Sequence, residues 1–369
     1  MKYNAVATCL FGLEKIVEFE LKKVGSTELK VENGRVLFTA DDLVLAKANI
    51  FSRTAERILI ILHRFSALDF DTLFDEVKSI EWSEVIDQTD VFPVKGYSID
   101  SQLSSVPAMQ SVIKKAIVEK LKDKNFISLT EDGKVTKAIR FSMIRNDCLI
   151  MLDTSGIGLH KRGYRRVAGE APIKETLAAG IVDFARVKEN SMILDPFCGS
   201  ATLLIEAALR AKNIAPGINR HFALEDYTFI DKSAFKDARQ EAKESKIKHP
   251  EFMARGSDID AKVLQVAEIC IKNAGVESLV HLEKADAINV EVKQQEIIVT
   301  NPPYGERLMS IAESEQLVRS FFINVSKQQN NGLYIISSNP SFERVVKKEA
   351  SRRRKLYNGM IECNLYMFF

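Results

Sequence analysis

Apolar positions change their spacing along the chain in a way that divides it into halves. Over residues 1 to 65, YNAVATCL and ERILIILHRF read as strands, and LEKIVEFELKKVG has helical spacing. Two short strands flank Glu32-Asn33-Gly34, a hairpin signal, and a further helix starts at Asp41. The predicted order is β-α-β-β-α-β. Residues 66 to 155 form a second mixed segment, with a helix at about 107 to 123 and strands near 138 to 153. The stretch 154 to 172, TSGIGLHKRGYRRVAGEAP, lacks apolar periodicity and reads as a joint. From 173 the pattern alternates: IKETLAAGIVDFARV, SMILDPF, ATLLIEAALRAK, FMARGSDID, AKVLQVAEICIKNAG, VHLEKAD, EIIVTNPPYG, a helix from about 312, and GLYIISS. Short apolar strands between amphipathic helices predict an α/β fold, a parallel doubly wound sheet with both faces covered. Two apolar runs around Asn358-Gly359 predict a closing hairpin. The expected boundaries are 1–65, 66–155, a linker 156–172, and 173–369.

Composition narrows the class. At 369 residues the chain exceeds one small module and suits two or three domains. With 46% hydrophobic and 28% charged residues it folds throughout, and a long disordered or collagen-like chain is excluded. No apolar run reaches the roughly 18 residues a bilayer demands, and acidic residues follow soon after the start, so a cytoplasmic protein without membrane contact is expected. Five scattered cysteines, with no C-x-x-C pair and no nearby His cluster, argue against a disulfide framework and against any metal site. Net charge is only +2, but it is unevenly spread. Before residue 161 there are 21 Lys and Arg against 23 Asp and Glu; from 161 onward there are 31 against 27. The excess gathers in Lys161-Arg162-Gly163-Tyr164-Arg165-Arg166 and in Arg352-Arg353-Arg354-Lys355, two candidate grips for phosphates.

In an open parallel sheet, ligands bind beyond the carboxyl ends of the strands. Four motifs fall there. Asp195-Pro196-Phe197-Cys198-Gly199-Ser200-Ala201-Thr202 leads from a strand straight into a helix, where Gly199 lets backbone approach a ligand and the helix start offers N–H groups. It is not a G-x-x-x-x-G-K-[ST] loop, which disfavours a nucleoside triphosphate. Gly256-Ser257-Asp258-Ile259-Asp260 ends the next strand. Asp258 is assigned to the hydroxyls of a ribose and Asp260 to capping the following helix, with the reverse assignment left open. Asp286 follows a third strand and can accept from an adenine amino group. Asn301-Pro302-Pro303-Tyr304-Gly305 ends a fourth, and its consecutive prolines stiffen the backbone and remove its donors. The Asn301 amide oxygen and the Pro302 carbonyl then each take a hydrogen from an exocyclic base amine, and the Tyr304 ring stacks on the base. Such acceptors favour a pyramidal nitrogen and restore a lone pair otherwise delocalised into the ring. No base is needed before attack, because the proton becomes acidic once nitrogen is alkylated.

DPFCGSAT, GSDID and NPPYG, in this order, resemble motif I, the acidic loop and motif IV of class I S-adenosylmethionine-dependent amino-methyltransferases. The flanking LHKRGYR and AGEAPIKETLAAGIV narrow the likeness to RNA methyltransferases carrying a THUMP domain, a group formerly labelled N6-adenine-specific DNA methylases. Within it the chain looks most like bacterial guanine-N2 methyltransferases of 23S ribosomal RNA and their relatives acting on tRNA guanines. The likeness covers about residues 155 to 369 and is weaker before that. It implies a Rossmann-like methyltransferase sheet preceded by a ferredoxin-like unit at 1–65 and an RNA-gripping THUMP unit at 66–155. It further implies that S-adenosylmethionine is held by Asp195, Phe197, Gly199, Ser200, Asp258, Ile259 and Asp286, and leaves as S-adenosylhomocysteine. The reacting base would meet Asn301, Pro302, Pro303 and Tyr304, and structured RNA, ribosomal or transfer, would meet Lys161, Arg162, Arg165, Arg166, Arg352, Arg353 and Arg354. One departure stands out: many methyltransferases carry further glycines where this chain has Pro196, Cys198 and Ser200. Cys198 invites comparison with a cysteine nucleophile, but amine methylation needs none.

Overall fold

The computed structural model of the chain describes residues 2–122, 135–165, 173–303, 310–328 and 331–369. Its first part runs β1 (Tyr3–Cys9), α1 (Glu14–Lys23), β2 (Thr27–Glu32), β3 (Arg35–Ala40), α2 (Asp42–Phe51) and β4 (Ala55–Ser66), the order the pattern predicts. Gly34 closes the β2–β3 hairpin at φ +72°, a left-handed conformation that glycine adopts without a Cβ clash. The Asp41 side chain accepts the Val44 N–H at 2.8 Å and so starts α2. Then come α3 (Phe70–Ser79), β5 (Asp90–Val91), β6 (Val94–Ile99), α4 (Val106–Lys122), β7 (Val135–Thr136), β8 (Ile139–Ile144) and β9 (Asp147–Asp153).

The two units expected on either side of residue 65 share one seven-stranded sheet, ordered β2-β3-β1-β4-β9-β8-β6. Strand β4 is the reason. Its first half pairs with β1 and its second half with β9, both antiparallel. A hinge between the units would break that ladder, so the sheet makes them one body.

The second part holds α5 (Glu175–Phe184), β10 (Met192–Asp195), α6 (Thr202–Ala211), α7 (Ser233–Glu244), β11 (Met253–Asp258), α8 (Ala261–Ala274), β12 (Val280–Lys284), β13 (Glu296–Thr300), α9 (Ile311–Ser326), β14 (Leu333–Ser337), α10 (Phe342–Val346), β15 (Arg352–Asn358) and β16 (Ile361–Phe368). Its sheet is ordered β12-β11-β10-β13-β14-β16-β15. The first five strands are parallel, and β16 is antiparallel to β14 and forms the closing hairpin with β15. From β10 the chain steps outward through β11 to β12, then returns to β13 on the other side of β10. Strand order therefore reverses between β10 and β13, and a crevice opens there. No helix among the described residues is long and apolar enough to cross a membrane.

One stretch of the catalytic half does not cover the catalytic sheet. Residues 213 to 251 show neither strand nor helix in the plain alternation of the sequence. In the structure Phe222, Leu224, Tyr227, Phe235, Ala238 and Ala242 enter the same core as Leu45 and Ile50 of α2. Gly217 makes this possible: its N–H donates to the Ile50 carbonyl at 2.9 Å, and a Cβ on it would stand 2.8 Å from Ile50 Cα.

The expected linker is also a packed joint, which corrects two of the phosphate-binding assignments. Arg162 is only 9% exposed. Its guanidinium donates to the Leu159 carbonyl at 2.6 Å and to the Arg53 carbonyl, and lies 3.5 Å from Glu206 of α6. Tyr164 donates its hydroxyl to the same Glu206 oxygen at 3.0 Å. Arg53 in turn donates to the Ile214 carbonyl at 2.8 Å, and burial pushes its pKa down to about 10. Arg165 donates to Thr202 Oγ1 at 2.6 Å and to the Ile173 carbonyl at 3.2 Å. Arg162 is consumed in seating the N-terminal body on the catalytic half, and Arg165 in fastening the joint to the starts of α5 and α6. Lys161 stays exposed, and Arg166 lies outside the described residues. Removing Arg162 would strand the buried Glu206, so Arg162→Ala should lower unfolding free energy by about 3 to 5 kcal/mol. Lys161→Ala should stay within about 0.5 kcal/mol of wild type. Urea denaturation of both variants checks the contrast.

Candidate active site at the switch point

Strand registers set the height of each loop at the crevice. Asp195 pairs with Gly256, so Asp258 stands two residues farther out on β11, level with Lys284 of β12. On the other side Leu194 pairs with Ile298, which brings Asp195 beside the end of β13. There Thr300 donates its hydroxyl to Asp195 Oδ1 at 2.6 Å. The motifs after β10 and β13 are thus tied by a buried hydrogen bond across the point where strand order reverses.

Asp195 is 1% exposed and also accepts the Phe197 N–H at 3.2 Å. Burial outweighs both hydrogen bonds and pushes its carboxyl up to about 7. Beyond it the chain turns sharply, with Gly199 at φ +51° and Ala201 at φ +61°. Ala201 is the N-cap of α6, and no side chain caps that end. The first amides of α6 and its positive end are therefore left at the crevice. No atom stands within 4 Å of where a Cβ on Gly199 would lie, so this turn borders open space. Ser200 Oγ is 3.3 Å from Thr202 Oγ1, and the Phe197 ring packs edge-on to Phe321 at 5.2 Å.

Each carboxylate of the acidic loops has a defined task. Asp260 accepts the Lys262 N–H at 2.8 Å as N-cap of α8. Asp258 accepts the Gly199 N–H at 3.1 Å and the Asp260 N–H at 3.0 Å, which braces its loop against the β10 turn. Asp286 accepts the Ile288 N–H at 3.1 Å at the start of a short 3-10 turn. Between them Ile259 is 67% exposed, an apolar surface in an otherwise polar rim.

After β13, Asn301 Oδ1 is sealed from solvent and has no hydrogen-bond partner among the described residues. A buried acceptor left empty is costly and points to a donor supplied by a ligand. Pro302 is buried. The Pro303 carbonyl already accepts the Ser314 hydroxyl at 2.7 Å, so Pro303 anchors α9 instead of standing free as an acceptor. Tyr304 lies outside the described residues. The other basic cluster is not at this rim. Arg352 pairs with Met367, and Tyr334 pairs with Met367 from the other side, which puts Arg352 toward the amino end of β14 on the edge strand. Arg353 lies 3.0 Å from Glu343, and Arg354 donates to the Gly12 carbonyl at 2.8 Å, so Arg354 docks the N-terminal body. Charge runs look alike in sequence whether solvated or paired, because the partners lie far along the chain. Thr300 and Ser314 were missed for the same reason; their position beside Asn301-Pro302-Pro303 was the available signal.

A model for RMKL-like methyltransferase domains matches residues 162–367. The chain belongs to this methyltransferase family. Models for the RlmL ferredoxin-like domain and the THUMP domain match residues 4–59 and 67–153. The methyltransferase is 39% identical over 372 residues to "Putative RNA methyltransferase YpsC" of Bacillus subtilis (strain 168), covering 100% of this chain and 96% of that one. It is 33% identical to ribosomal RNA large subunit methyltransferase K/L of Shewanella oneidensis, covering 98% of this chain and 52% of the relative, so it spans about half of that protein's length. Among solved structures, SMU.472, "complexed with SAH", superposes with a TM-score of 0.91 at 34% identity, covering 100% of this chain and 98% of that one.

S-adenosylmethionine, the donor the motifs imply, fits this crevice on the geometry above: an open turn at Gly199, uncapped amides of α6, carboxylates at the ends of successive strands, and the exposed Ile259 between them. Cys198 is a buried thiol beside this turn. Burial, with Asp195 and Asp258 nearby, pushes its thiol well above the usual range and keeps it protonated.

Two outcomes follow for the methyltransferase. An Asp258→Ala variant should lose about 1.5 to 3 kcal/mol of donor affinity by calorimetry, the worth of a hydrogen bond to a charged group. Asp195 titrates near 7 when folded, against 3.8 for the ordinary carboxyl, so the folded state holds a proton the unfolded state has released between those values. Its contribution is fully present below pH 3.8 and is lost as pH rises through 7. Asp195→Asn keeps the acceptor for Thr300 and removes that titration. Its melting temperature relative to wild type should rise from pH 5 to pH 8, and a constant difference would reject the assignment.

Proposed function

We propose that the protein transfers a methyl group from S-adenosylmethionine to the exocyclic N2 amine of a guanine in structured RNA, with 23S ribosomal RNA the first candidate and tRNA the second, in the cytoplasm. The observation that carries the amine chemistry is Asn301 Oδ1 at the switch point, sealed and with no partner among the described residues. The THUMP match and the names of the relatives, one an RNA methyltransferase and one acting on large-subunit ribosomal RNA, support RNA over DNA.

When bound against the β10 turn, the donor supplies an electrophilic methyl group. The chain's own residues do the rest. Asn301 Oδ1 and the Pro302 carbonyl accept the two hydrogens of the amine, which localises its lone pair for attack. Asn301 is held at the end of a buried strand by Thr300, bonded to Asp195, and by the Pro-Pro backbone behind it. Once the nitrogen is alkylated its proton is acidic, and Asn301 holds that N–H until water takes it. Tyr304 is assigned to stack on the flipped base. Phosphates meet exposed cations that are not consumed in the joint: Lys161, and Arg352 and Arg353 for more distant RNA.

Because the acceptor strengthens its hold as positive charge develops, Asn301→Ala should lower kcat by about a hundredfold to a thousandfold while sparing donor binding. The assay is single-turnover transfer of labelled methyl to undermodified ribosomal RNA, followed by mass spectrometry of nucleosides. N2-methylguanosine as product supports the reading. N6-methyladenosine would overturn the choice of base, and an Asn301→Ala enzyme with near wild-type rate would overturn the mechanism.

A further inference from the structure

Asn301 by itself does not distinguish guanine from adenine, because each base offers an exocyclic amine with two hydrogens. Discrimination needs a second group that reads the ring nitrogen beside that amine. A cleft of about 280 Å³ lies next to the Asn-Pro-Pro loop, at the carboxyl ends of β13 and β14. Pro303, Ile311 and Phe342 give it apolar walls, and Glu315, Ser338 and Asn339 its polar side. Its size falls just under the roughly 300 Å³ at which ligand clefts usually start and suits one base.

We infer that Glu315, oriented by Asn339 in this cleft, sets base specificity by accepting the N1–H of the flipped guanine. The inference rests on the guanine-N2 reading above and names the residue that enforces it. Glu315 Oε1 accepts the Asn339 side-chain N–H at 2.9 Å. Asn339 is itself held on every side: its Oδ1 accepts the Ser341 N–H at 2.8 Å, its N–H donates to Ser337 Oγ at 3.1 Å, and its carbonyl accepts the Tyr366 hydroxyl at 3.4 Å. Glu315 Oε2 makes no hydrogen bond among the described residues. The start of α9 does not need this carboxylate, since Ser310 and Glu313 cap it. The helix is tied to the reaction loop by the 2.7 Å bond from Ser314, the neighbour of Glu315, to the carbonyl of Pro303, two residues beyond Asn301.

Guanine presents N1–H and the N2 amine side by side, two donors for two acceptors. Adenine presents a lone pair at N1, which faces an ionised carboxylate with repulsion and leaves the carboxylate unpaired. A carboxylate beside an amine acceptor therefore selects guanine.

Glu315→Gln, which keeps shape and removes the obligate acceptor, tests this with undermodified ribosomal RNA as substrate and mass spectrometry of N2-methylguanosine and N6-methyladenosine as readout. The expected result is a drop in single-turnover guanine methylation of about tenfold to a hundredfold, with a rising adenine-to-guanine product ratio and unchanged affinity for S-adenosylhomocysteine by calorimetry. A guanine rate within twofold of wild type and an unchanged ratio would overturn the role of Glu315. Wild-type enzyme that makes no N2-methylguanosine would overturn the guanine reading itself, and this role with it. Should Glu315→Gln lose its fold, Asn339→Ala frees the carboxylate without removing it. A smaller rise in the same ratio is then expected, and no rise overturns the inference.

Discussion

The hydrogen bond from Thr300 to Asp195 joins the two strands between which the catalytic sheet reverses its order. A methyltransferase must keep its methyl donor and the group it methylates in constant relation. Here the loops follow neighbouring strands, and a buried 2.6 Å bond locks their ends. Low dielectric strengthens the bond and also makes the carboxylate costly, which is why Asp195 is pushed up toward 7. The Gly199 turn, braced by Asp258, and the Asn301 loop, braced by Ser314, are built outward from this tie.

The seat of the N-terminal body is set by a second buried device. Strand β4 fuses the ferredoxin-like and THUMP units through one sheet, and the Arg53, Arg162, Tyr164 and Glu206 cluster seats that body on α6. The 213–251 excursion adds an apolar seam on the other side. A body seated this way stands at a set distance from the crevice, whereas a flexible linker would leave that distance variable.

Much of the site was legible because its residues are local. DPFCGSAT, GSDID and NPPYG each pack their chemistry into a few positions at a strand end, and strand ends follow from the alternation of short apolar runs with amphipathic helices. The cap at Asp260 is similarly local, since it bonds a backbone N–H two residues on. Arg162, Arg165 and Arg354 were misread because their partners, Glu206, Thr202 and Gly12, lie far along the chain. A run of cations carries no mark of whether folding will bring carboxylates and carbonyls to meet it. The 213–251 segment was unreadable for a related reason: its apolar face is complementary to α2, an element more than 150 residues earlier.

Sequence by itself determined the α/β alternation, the hairpins at Asn33-Gly34 and Asn358-Gly359, and the chemistry of the strand-end loops, since period, turn residues and acceptor types are properties of short windows. Tertiary structure alone decided that β4 unites two units, that the basic joint is a buried clamp, that Asn301 Oδ1 is sealed with no partner among the described residues, and that Glu315 shares a cleft with Pro303 and Asn339. Those facts depend on which surfaces exclude water together, and that is settled only when distant segments pack.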